Sequence, residues 1–427
     1  MSKVHFFTLG CRLNQSETAV LEGVFRARGF QVVGKNDPAD IVVINTCTVT
    51  AEGDSDARKL AARVHREQPQ ASIAVIGCQA QVQKEKLLSW PGVRWVVGTA
   101  KKMELCDFVQ KDFSQKTAMV IPPISRKPFS LPISSAVSSR TRANLKIQDG
   151  CDNFCAYCEI PYARGRARSR EFENILDEAA ALVNLGHKEI VLTGINVGLY
   201  QHKNKNLMDV VKALHDLSGL ERIRISSIEH TTLPLKLAEF MVPQGKLCRF
   251  LHIPVQSGSA DILEKMGRRY TVKEFFKLTH SLRRRVPGLM IGTDVIVGFP
   301  GETDRHFEET RLFLERSSVN YCHVFSYSHR YRARSRTFKG AIAADVIKKR
   351  SEILRNLSLQ KKRIFLESLI GSRGGVLIEE KKGDYWVGHT DNYVKIKVFS
   401  KRNLKNKMVS VRLHKIDGEA ILGTVLE

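Results

Sequence analysis

The sequence predicts an α/β chain in three parts. They are an N-terminal doubly wound parallel-sheet domain, a central parallel barrel and a small all-β C-terminal domain of oligonucleotide-fold (OB) type. Three observations carry this. An apolar run ending in a cysteine occurs three times in the first 120 residues. Short apolar runs then alternate six times with helical patterns between about 144 and 327. Beyond about residue 370 the chain becomes five short strand-like runs with polar turns.

In the first part, residues 4–9 lead to Cys11, 41–44 to Cys47 and 73–76 to Cys78, with Gly10 and Gly77 directly before their cysteines. The cysteine spacings of 36 and 31 match one strand–helix–strand unit. Stretches 16–28 and 54–66 have the helix formers and polarity of the crossovers. If the strands are parallel, all three cysteines fall on the carboxyl edge of the sheet, where doubly wound folds bind ligands. This domain is expected over 1–120. Residues 121–143, rich in Pro and Ser without a period, read as a linker.

The next expected domain is 144–364, with candidate strands at 145–148, 189–193, 223–227, 250–254, 292–298 and 322–326. Six such units make a parallel barrel, open or closed, with its site at the strand C-terminal ends. A helix over 347–364 follows. The last domain, 365–427, has candidate strands at 376–380, 385–389, 394–399, 409–413 and 420–425. In its third strand Val394, Ile396 and Val398 alternate with Lys395 and Lys397, giving one apolar and one basic face.

The 427 residues carry 68 Lys+Arg against 44 Asp+Glu, a formal net charge of +24. With 43% hydrophobic and 26% charged residues, the composition excludes wholesale disorder. The longest apolar stretches are a few residues long, far short of the roughly 20 that span a bilayer. The N-terminus enters a strand-like run with no signal-peptide region. The expected location is therefore the cytoplasm, with no membrane partner. Thiols stay reduced there, so the nine cysteines read as ligands, catalysts or core residues rather than disulfides. Cys106, Cys248 and Cys322 lack partner spacing and read as core. Residues 328–364 hold 12 basic and 2 acidic side chains, +10 of the +24. Such density is the footprint of a polyanion-binding surface. A solvated helix face is the plainer alternative. Further clusters at Arg164, Arg166, Arg168 and Arg170, at 283–285 and at 401–407 favour nucleic acid.

The sharpest motif is Gly150-Cys151-Asp152-Asn153-Phe154-Cys155-Ala156-Tyr157-Cys158, a C-x3-C-x2-C cluster after the first barrel strand. Three thiolates so close fit three corners of a 4Fe–4S cubane and leave one iron open. Structural zinc would need a fourth ligand and usually a second C-x2-C knuckle, which the sequence lacks. The motif resembles that of the radical S-adenosylmethionine (SAM) superfamily. That resemblance implies an open iron chelating the methionine end of SAM and electron transfer that releases a 5′-deoxyadenosyl radical. Tyr157 and the strand-end segment Leu192-Thr193-Gly194-Ile195-Asn196 also fit, the latter where that fold binds the methionine moiety.

Singly, a cysteine at a strand end is more often a small buried hydrophobe. Three in register on one edge are not. With the C-x3-C-x2-C cluster they resemble the methylthiotransferase family, which carries a second 4Fe–4S cluster on such a triad. The resemblance covers nearly the whole chain. It includes Thr8-Leu9-Gly10-Cys11-Arg12-Leu13-Asn14-Gln15-Ser16-Glu17-Thr18, Asn45-Thr46-Cys47, Gly77-Cys78, Ser226-Ser227-Ile228-Glu229 and Leu251-His252-Ile253-Pro254-Val255-Gln256-Ser257-Gly258. It continues through Thr293-Asp294-Val295-Ile296-Val297-Gly298-Phe299-Pro300-Gly301-Glu302-Thr303 and ends in a domain similar to the RNA-binding TRAM domain. It implies a radical SAM partial (βα)6 barrel in the centre. Cys11-Arg12-Leu13-Asn14-Gln15 is similar to the branch acting on N6-threonylcarbamoyladenosine in tRNA. One departure stands out. The family's Arg-x-Gly-Thr turn after 325–328 is replaced by His329-Arg330-Tyr331-Arg332-Ala333-Arg334-Ser335-Arg336.

The resemblance implies cluster ligands Cys11, Cys47, Cys78, Cys151, Cys155 and Cys158. It also implies one SAM that methylates sulfur at the second cluster and another that yields the radical. The radical takes hydrogen from carbon 2 of adenine, and the carbon radical attacks the methylthio group. Tyr157, Thr193, Gly194, Glu229, Gln256 and Asp294 are the candidate SAM or substrate contacts. For Glu229, Gln256 and Asp294 the bland alternative is helix capping or buried backbone satisfaction. The expected partners are tRNA, an electron donor of flavodoxin or ferredoxin type and a sulfur donor. The competing substrates are isopentenyladenosine in tRNA and an aspartate of a ribosomal protein. The competing classes are an iron–sulfur protein without radical chemistry and an RNA-binding zinc protein.

Overall fold

The computed structural model describes residues 1–111, 118–133, 141–242 and 245–426. Its N-terminal sheet has six parallel strands, in spatial order Gln31–Val32, Lys3–Thr8, Ile41–Thr46, Ser72–Gly77, Val93–Val97 and Ala118–Val120. The inner strands are apolar on both faces because helices cover both. Leu21 and Phe25 of helix Arg12–Ala27 meet Val43, Ala74 and Ile76 on one side. Leu60, Ala61 and Val64 of helix Ala51–Glu67 meet Val42, Ile44 and Val75 on the other. Thr50 starts that second helix by accepting the Gly53 N–H at 3.1 Å.

The central part has six parallel strands in two sheets. One runs Arg142–Lys146, Glu189–Thr193, Arg222–Ile225 and the other Phe250–His252, Met290–Val297, Tyr321–Ser326. One apolar core, from Ala143 to Leu354, fills both. No described pairing joins the first strand to the last, so the barrel is open. Helix Arg12–Ala27 packs along the first edge strand, where the Asn144 amide donates to Gln15 at 3.3 Å. Helix Ala344–Glu367 packs along the last edge strand, where Ser358 Oγ bonds both the N–H and the carbonyl of Cys322. The first barrel strand differs from the expected 145–148. It begins at Arg142 because its first turn faces Glu379 of the C-terminal part (3.0 Å) and so carries polar residues. Gln148–Asp149 instead pairs antiparallel with Arg168–Ser169.

The C-terminal part is a closed five-stranded barrel, in the order Arg373–Lys382, Tyr385–Thr390, Lys395–Phe399, Ala420–Val425, Met408–Asp417. Val394, Ile396 and Val398 point into its core as the alternation requires. It docks on the central barrel through arginines. Arg222 donates to the carbonyls of His389 (2.9 Å) and Gly375 (2.7 Å), and Arg249 pairs with Asp391 (2.6 Å).

Two basic clusters are not the open surface that the charge count suggests. Arg164 and Arg170 are fully buried, Arg164 on Glu17 and Asp149, and Arg170 on Glu178. Arg168 pairs with Asp149 at 3.3 Å, which leaves Arg166 as the exposed member. In the 328–364 segment Arg330 is buried on Asp54, Glu159 and Thr48. Arg350 is buried against Glu302 and Asp304. The 401–407 turn does stay exposed at Lys401, Arg402, Lys405 and Lys407. Cys106, Cys248 and Cys322 are core residues. Among the described residues no helix is long and apolar enough to cross a membrane.

Candidate functional site

Cys11, Cys47 and Cys78 follow three adjacent strands of the N-terminal sheet, Lys3–Thr8, Ile41–Thr46 and Ser72–Gly77, at their carboxyl ends. Neighbouring side chains hold the edge together. Asn14 Nδ2 donates to the carbonyls of Leu9 (2.8 Å) and Thr46 (2.9 Å), and Asn45 Nδ2 donates to Asn14 O (3.1 Å). Thr46 Oγ1 donates to Ile76 O at 2.6 Å. Gly10 has φ +84°, and a Cβ there would stand 2.4 Å from Cys47 Cβ and 2.6 Å from its sulfur. Only glycine lets the Cys11 strand approach Cys47 so closely.

Burial pushes the Cys47 thiol up to about 12, with Cys78 and Cys11 adding to the shift. Burial also raises Cys78, opposed by Arg164, whose Nε donates to its sulfur at 3.1 Å. Arg164 lies at the centre of a buried charge cluster that joins the first and central parts. Its Nη1 reaches Glu17 (3.1 Å) and Asp149 (3.0 Å), and its Nη2 reaches Asn14 Oδ1 (2.6 Å). Lys146 Nζ bridges Glu17 and Asp149 at 2.6 Å each, and Lys102 also pairs with Glu17. Three buried cations against two buried carboxylates leave one positive charge in excess beside Cys78. Burial alone would raise Glu17, yet Arg164, Lys102 and Lys146 hold it well below the usual carboxylate range. Burial brings Lys102 down to about 8, with Glu17 working against the shift.

The second triad hangs from Asp149, whose Oδ1 accepts the Gly150 N–H at 2.9 Å. Gly150 has φ +71°, and a Cβ there would lie 2.1 Å from the Arg166 carbonyl oxygen. The loop is pinned by Cys151 N to Gly165 O (3.1 Å) and Ala156 N to Met266 O (2.8 Å). Burial raises Cys151 to about 11. Burial and Cys155 raise Cys158 as well. Neighbouring thiols add to the burial that raises Cys47, Cys151 and Cys158, a cost that a cationic iron–sulfur centre would relieve by taking them as thiolates. Each triad supplies three thiols and, among the described residues, no fourth ligand, the donor set of a 4Fe–4S cluster with one open iron rather than of a four-coordinate structural zinc.

Gln148 ties the Cys151 loop to the Thr193-Gly194 segment. Its Oε1 accepts the N–H groups of Ile195 (3.0 Å) and Asn196 (2.9 Å), while its Nε2 donates to the carbonyls of Asp149 and Gly150. A Cβ at Gly194 would sit 2.9 Å from that Oε1. Thr193 Oγ1 is buried with no partner among the described residues, as a ligand-facing hydroxyl would be. Tyr157, Gln256 and Asp294 line one cavity with Val49 and Thr50, just past Cys47. Gln256 has φ +71°, a conformation uncommon for a side-chain-bearing residue. Asp294 Oδ1 accepts from His252 Nε2 at 2.9 Å.

Glu229 does not line that cavity. It is paired with Arg268, which also donates to Cys155 Sγ (3.3 Å), Tyr157 Oη (3.4 Å) and Pro254 O (3.3 Å). Arg268, Gln148 and Arg164 escape sequence reasoning because each is a single residue outside any spaced motif. The Arg-rich 329–336 segment is a strap. Arg330 binds it to Thr48 and Glu159, and Ser335 N donates to Ala156 O at 2.9 Å.

The pattern of the radical SAM superfamily matches residues 145–314, and that of the Uncharacterized protein family UPF0004 matches residues 3–98. The threonylcarbamoyladenosine tRNA methylthiotransferase MtaB of Bacillus subtilis (strain 168) is 36% identical over 426 residues, covering 97% of this chain and 94% of the relative. The MtaB of Aquifex aeolicus (strain VF5) is 36% identical over 398 residues, 92% and 96% of the two chains. The tRNA-2-methylthio-N(6)-dimethylallyladenosine synthase of Desulfosudis oleivorans is 35% identical over 396 residues, 89% and 84%. Among solved structures, the radical SAM methyltransferase TsrM from Kitasatospora setae aligns with a TM-score of 0.56 at 18% identity, over 76% of this chain and 75% of that one, a likeness of fold alone. The chain thus belongs to the radical SAM methylthiotransferase family, in its MtaB branch, and the family's cofactors are SAM and 4Fe–4S clusters.

Proposed function

We propose that the protein methylthiolates carbon 2 of N6-threonylcarbamoyladenosine beside the anticodon of tRNA, in the cytoplasm. The observation that supports this most is the pairing of two cysteine triads on one buried charge cluster, within a chain related to MtaB enzymes over nearly its whole length. Cys151, Cys155 and Cys158 would hold the cluster that binds and reductively cleaves SAM, and Cys11, Cys47 and Cys78 the one that carries the sulfur delivered. An unactivated aromatic C–H is a poor target for acid–base chemistry, which is why such radical chemistry is needed.

The chain's own residues orient the reactants and exclude water. Arg268 fixes Tyr157 and Cys155 together, and Glu229 holds Arg268 in place, so Glu229 acts as a positioning residue. Tyr157, Gln256 and Asp294 face the reacting space, and Thr193, beside Gly194, offers an unpaired hydroxyl for the methionine end of SAM. Asp294 holds His252 with its proton on Nε2. The exposed Lys401, Arg402, Lys405 and Lys407 on the C-terminal barrel suit phosphate contacts with the anticodon arm.

The test is anaerobic turnover by the iron-loaded enzyme with reductant, SAM and anticodon stem-loops. One stem-loop carries threonylcarbamoyladenosine, one isopentenyladenosine and one plain adenosine. A methylthio gain on the first alone is expected. A gain on the second alone would transfer the protein to the dimethylallyl substrate. Inertness on all three, with SAM still cleaved, would point to a protein aspartate.

A further inference from the structure

A second cavity of about 700 Å³ lies inside the barrel, bounded by Arg12, His252, Tyr321, His323, Tyr393 and Lys395. It adjoins both triads' surroundings. Arg12 is the residue after Cys11, and His252 lines this cavity while its ring nitrogen bonds Asp294 in the cavity beside Tyr157. Tyr393, from the C-terminal barrel, closes it from below and sits at φ +66°, strained backbone of the kind that gathers at binding sites.

The charges in this cavity are unevenly matched. Three arginines surround the Tyr393 ring, Arg12 at 5.6 Å, Arg142 at 5.2 Å and Arg224 at 4.8 Å from its centroid. Arg142 is neutralised by Glu379 and Arg224 by Glu189. Glu419, the cavity's acid, is taken by Lys362. Arg12 has no carboxylate partner among the described residues, and its guanidinium donates to Tyr393 Oη at 2.6 Å. Lys395 has no ion pair within 4.0 Å among them either. Two cations beside a phenol and two imidazoles make a pocket for a carboxylate that also carries hydroxyl or amide groups. Lys395 shares the cavity's one acid, Glu419, with Lys362, so an apolar occupant would leave Arg12 desolvated with only a phenol as partner.

We propose that Arg12, with Tyr393 and Lys395, takes the carboxylate of the threonine on the adenine N6 substituent and so decides which modified adenosine is a substrate. This deepens the function proposed above and rests on it. Threonylcarbamoyl differs from isopentenyl in that it is anionic and hydroxylated. A site built to bond a polar substituent rejects the analogue that lacks it far more strongly than an apolar site rejects an added group.

The experiment uses iron-loaded wild-type enzyme and the Arg12→Gln, Arg12→Lys and Lys395→Gln variants, each first shown to carry wild-type iron and sulfide. The substrates are stem-loops bearing threonylcarbamoyladenosine, its methyl ester and isopentenyladenosine, read by binding anisotropy and by KM against kcat. Wild type should bind the free acid over the ester. Arg12→Gln should weaken binding of the acid by roughly 10- to 100-fold with little change for the ester. Arg12→Lys should retain part of the preference, and Lys395→Gln should lose a smaller part. If iron-replete Arg12→Gln still separates acid from ester as wild type does, the assignment is overturned. Wild-type turnover of the isopentenyl stem-loop, with both threonylcarbamoyl forms inert, would instead overturn the reading it rests on.

Discussion

Cys11, Cys47 and Cys78 are gathered from three strands across 67 residues, whereas Cys151, Cys155 and Cys158 lie within one eight-residue loop. The first triad exists only because the parallel register brings three strand ends level and Gly10 lets two of them touch. Asn14, Asn45 and Thr46 then lock that edge. The second triad is local, and its loop is shaped by Gly150, a few backbone bonds and the side chains of Asp149, Gln148 and Arg268 around it. The long-range triad is therefore the more sensitive to changes far from its cysteines, although both triads lean on the buried cluster, the first through Arg164 on Cys78 and the second through Asp149 on Gly150.

The largest expected effects divide the triads by task. Cys151→Ala should lose both methylthiolation and formation of 5′-deoxyadenosine. Cys47→Ala should lose methylthiolation and about half the bound iron while still cleaving SAM. Full methylthiolation by Cys47→Ala would end the two-cluster account. Next is Arg164→Leu, which removes the fork joining Cys78, Glu17, Asp149 and Asn14 and leaves Lys102 and Lys146 to hold the two carboxylates. Leaving buried acceptors without a hydrogen-bond donor costs about 1–3 kcal/mol each, read by denaturant unfolding. Arg164→Lys should recover only part, because an ammonium lacks the fork that reaches Cys78, Glu17, Asp149 and Asn14 together. A cost below about 1 kcal/mol for Leu, the range of a surface pair, would show that the cluster is not a structural joint.

A smaller effect compares two glycines with the same φ of +84°. Gly29 has nothing within 4 Å of an added Cβ, while at Gly10 that atom meets Cys47. Gly29→Ala should cost about 1–2 kcal/mol for its backbone alone and keep its iron. Gly10→Ala should also lose N-terminal iron, as measured by iron analysis and cluster absorption. Equal iron in the two variants would show that the close approach is immaterial. The smallest effect belongs to the exposed turn. Lys405→Gln should weaken tRNA binding and reduce the slope of log affinity against log salt by about 1. An unchanged slope would place the phosphate contacts elsewhere.

Much of this was legible in the residues. The three strand–cysteine units, the six barrel strands and the five C-terminal strands announce themselves by apolar period and turn residues, and six cysteines mark the two triads. Buried charge was not legible. Arg164, Arg170 and Arg330 look like surface in a charge count, because their carboxylate partners Glu17, Glu178 and Glu159 have no sequence relation that marks the pairing. The start of the first barrel strand was hidden for a similar reason, since Arg142 is polar where it meets another part of the fold. Glu229 reads from the sequence as a contact for SAM or substrate, but its commitment to Arg268 is visible only in three dimensions.

The central claim is best tested in cells. Total tRNA from cells with and without the gene would be digested and its modified nucleosides quantified by mass spectrometry. The account predicts that methylthio-threonylcarbamoyladenosine disappears and threonylcarbamoyladenosine accumulates. An unchanged methylthio-threonylcarbamoyladenosine pool, with no other enzyme present to supply it, would contradict it.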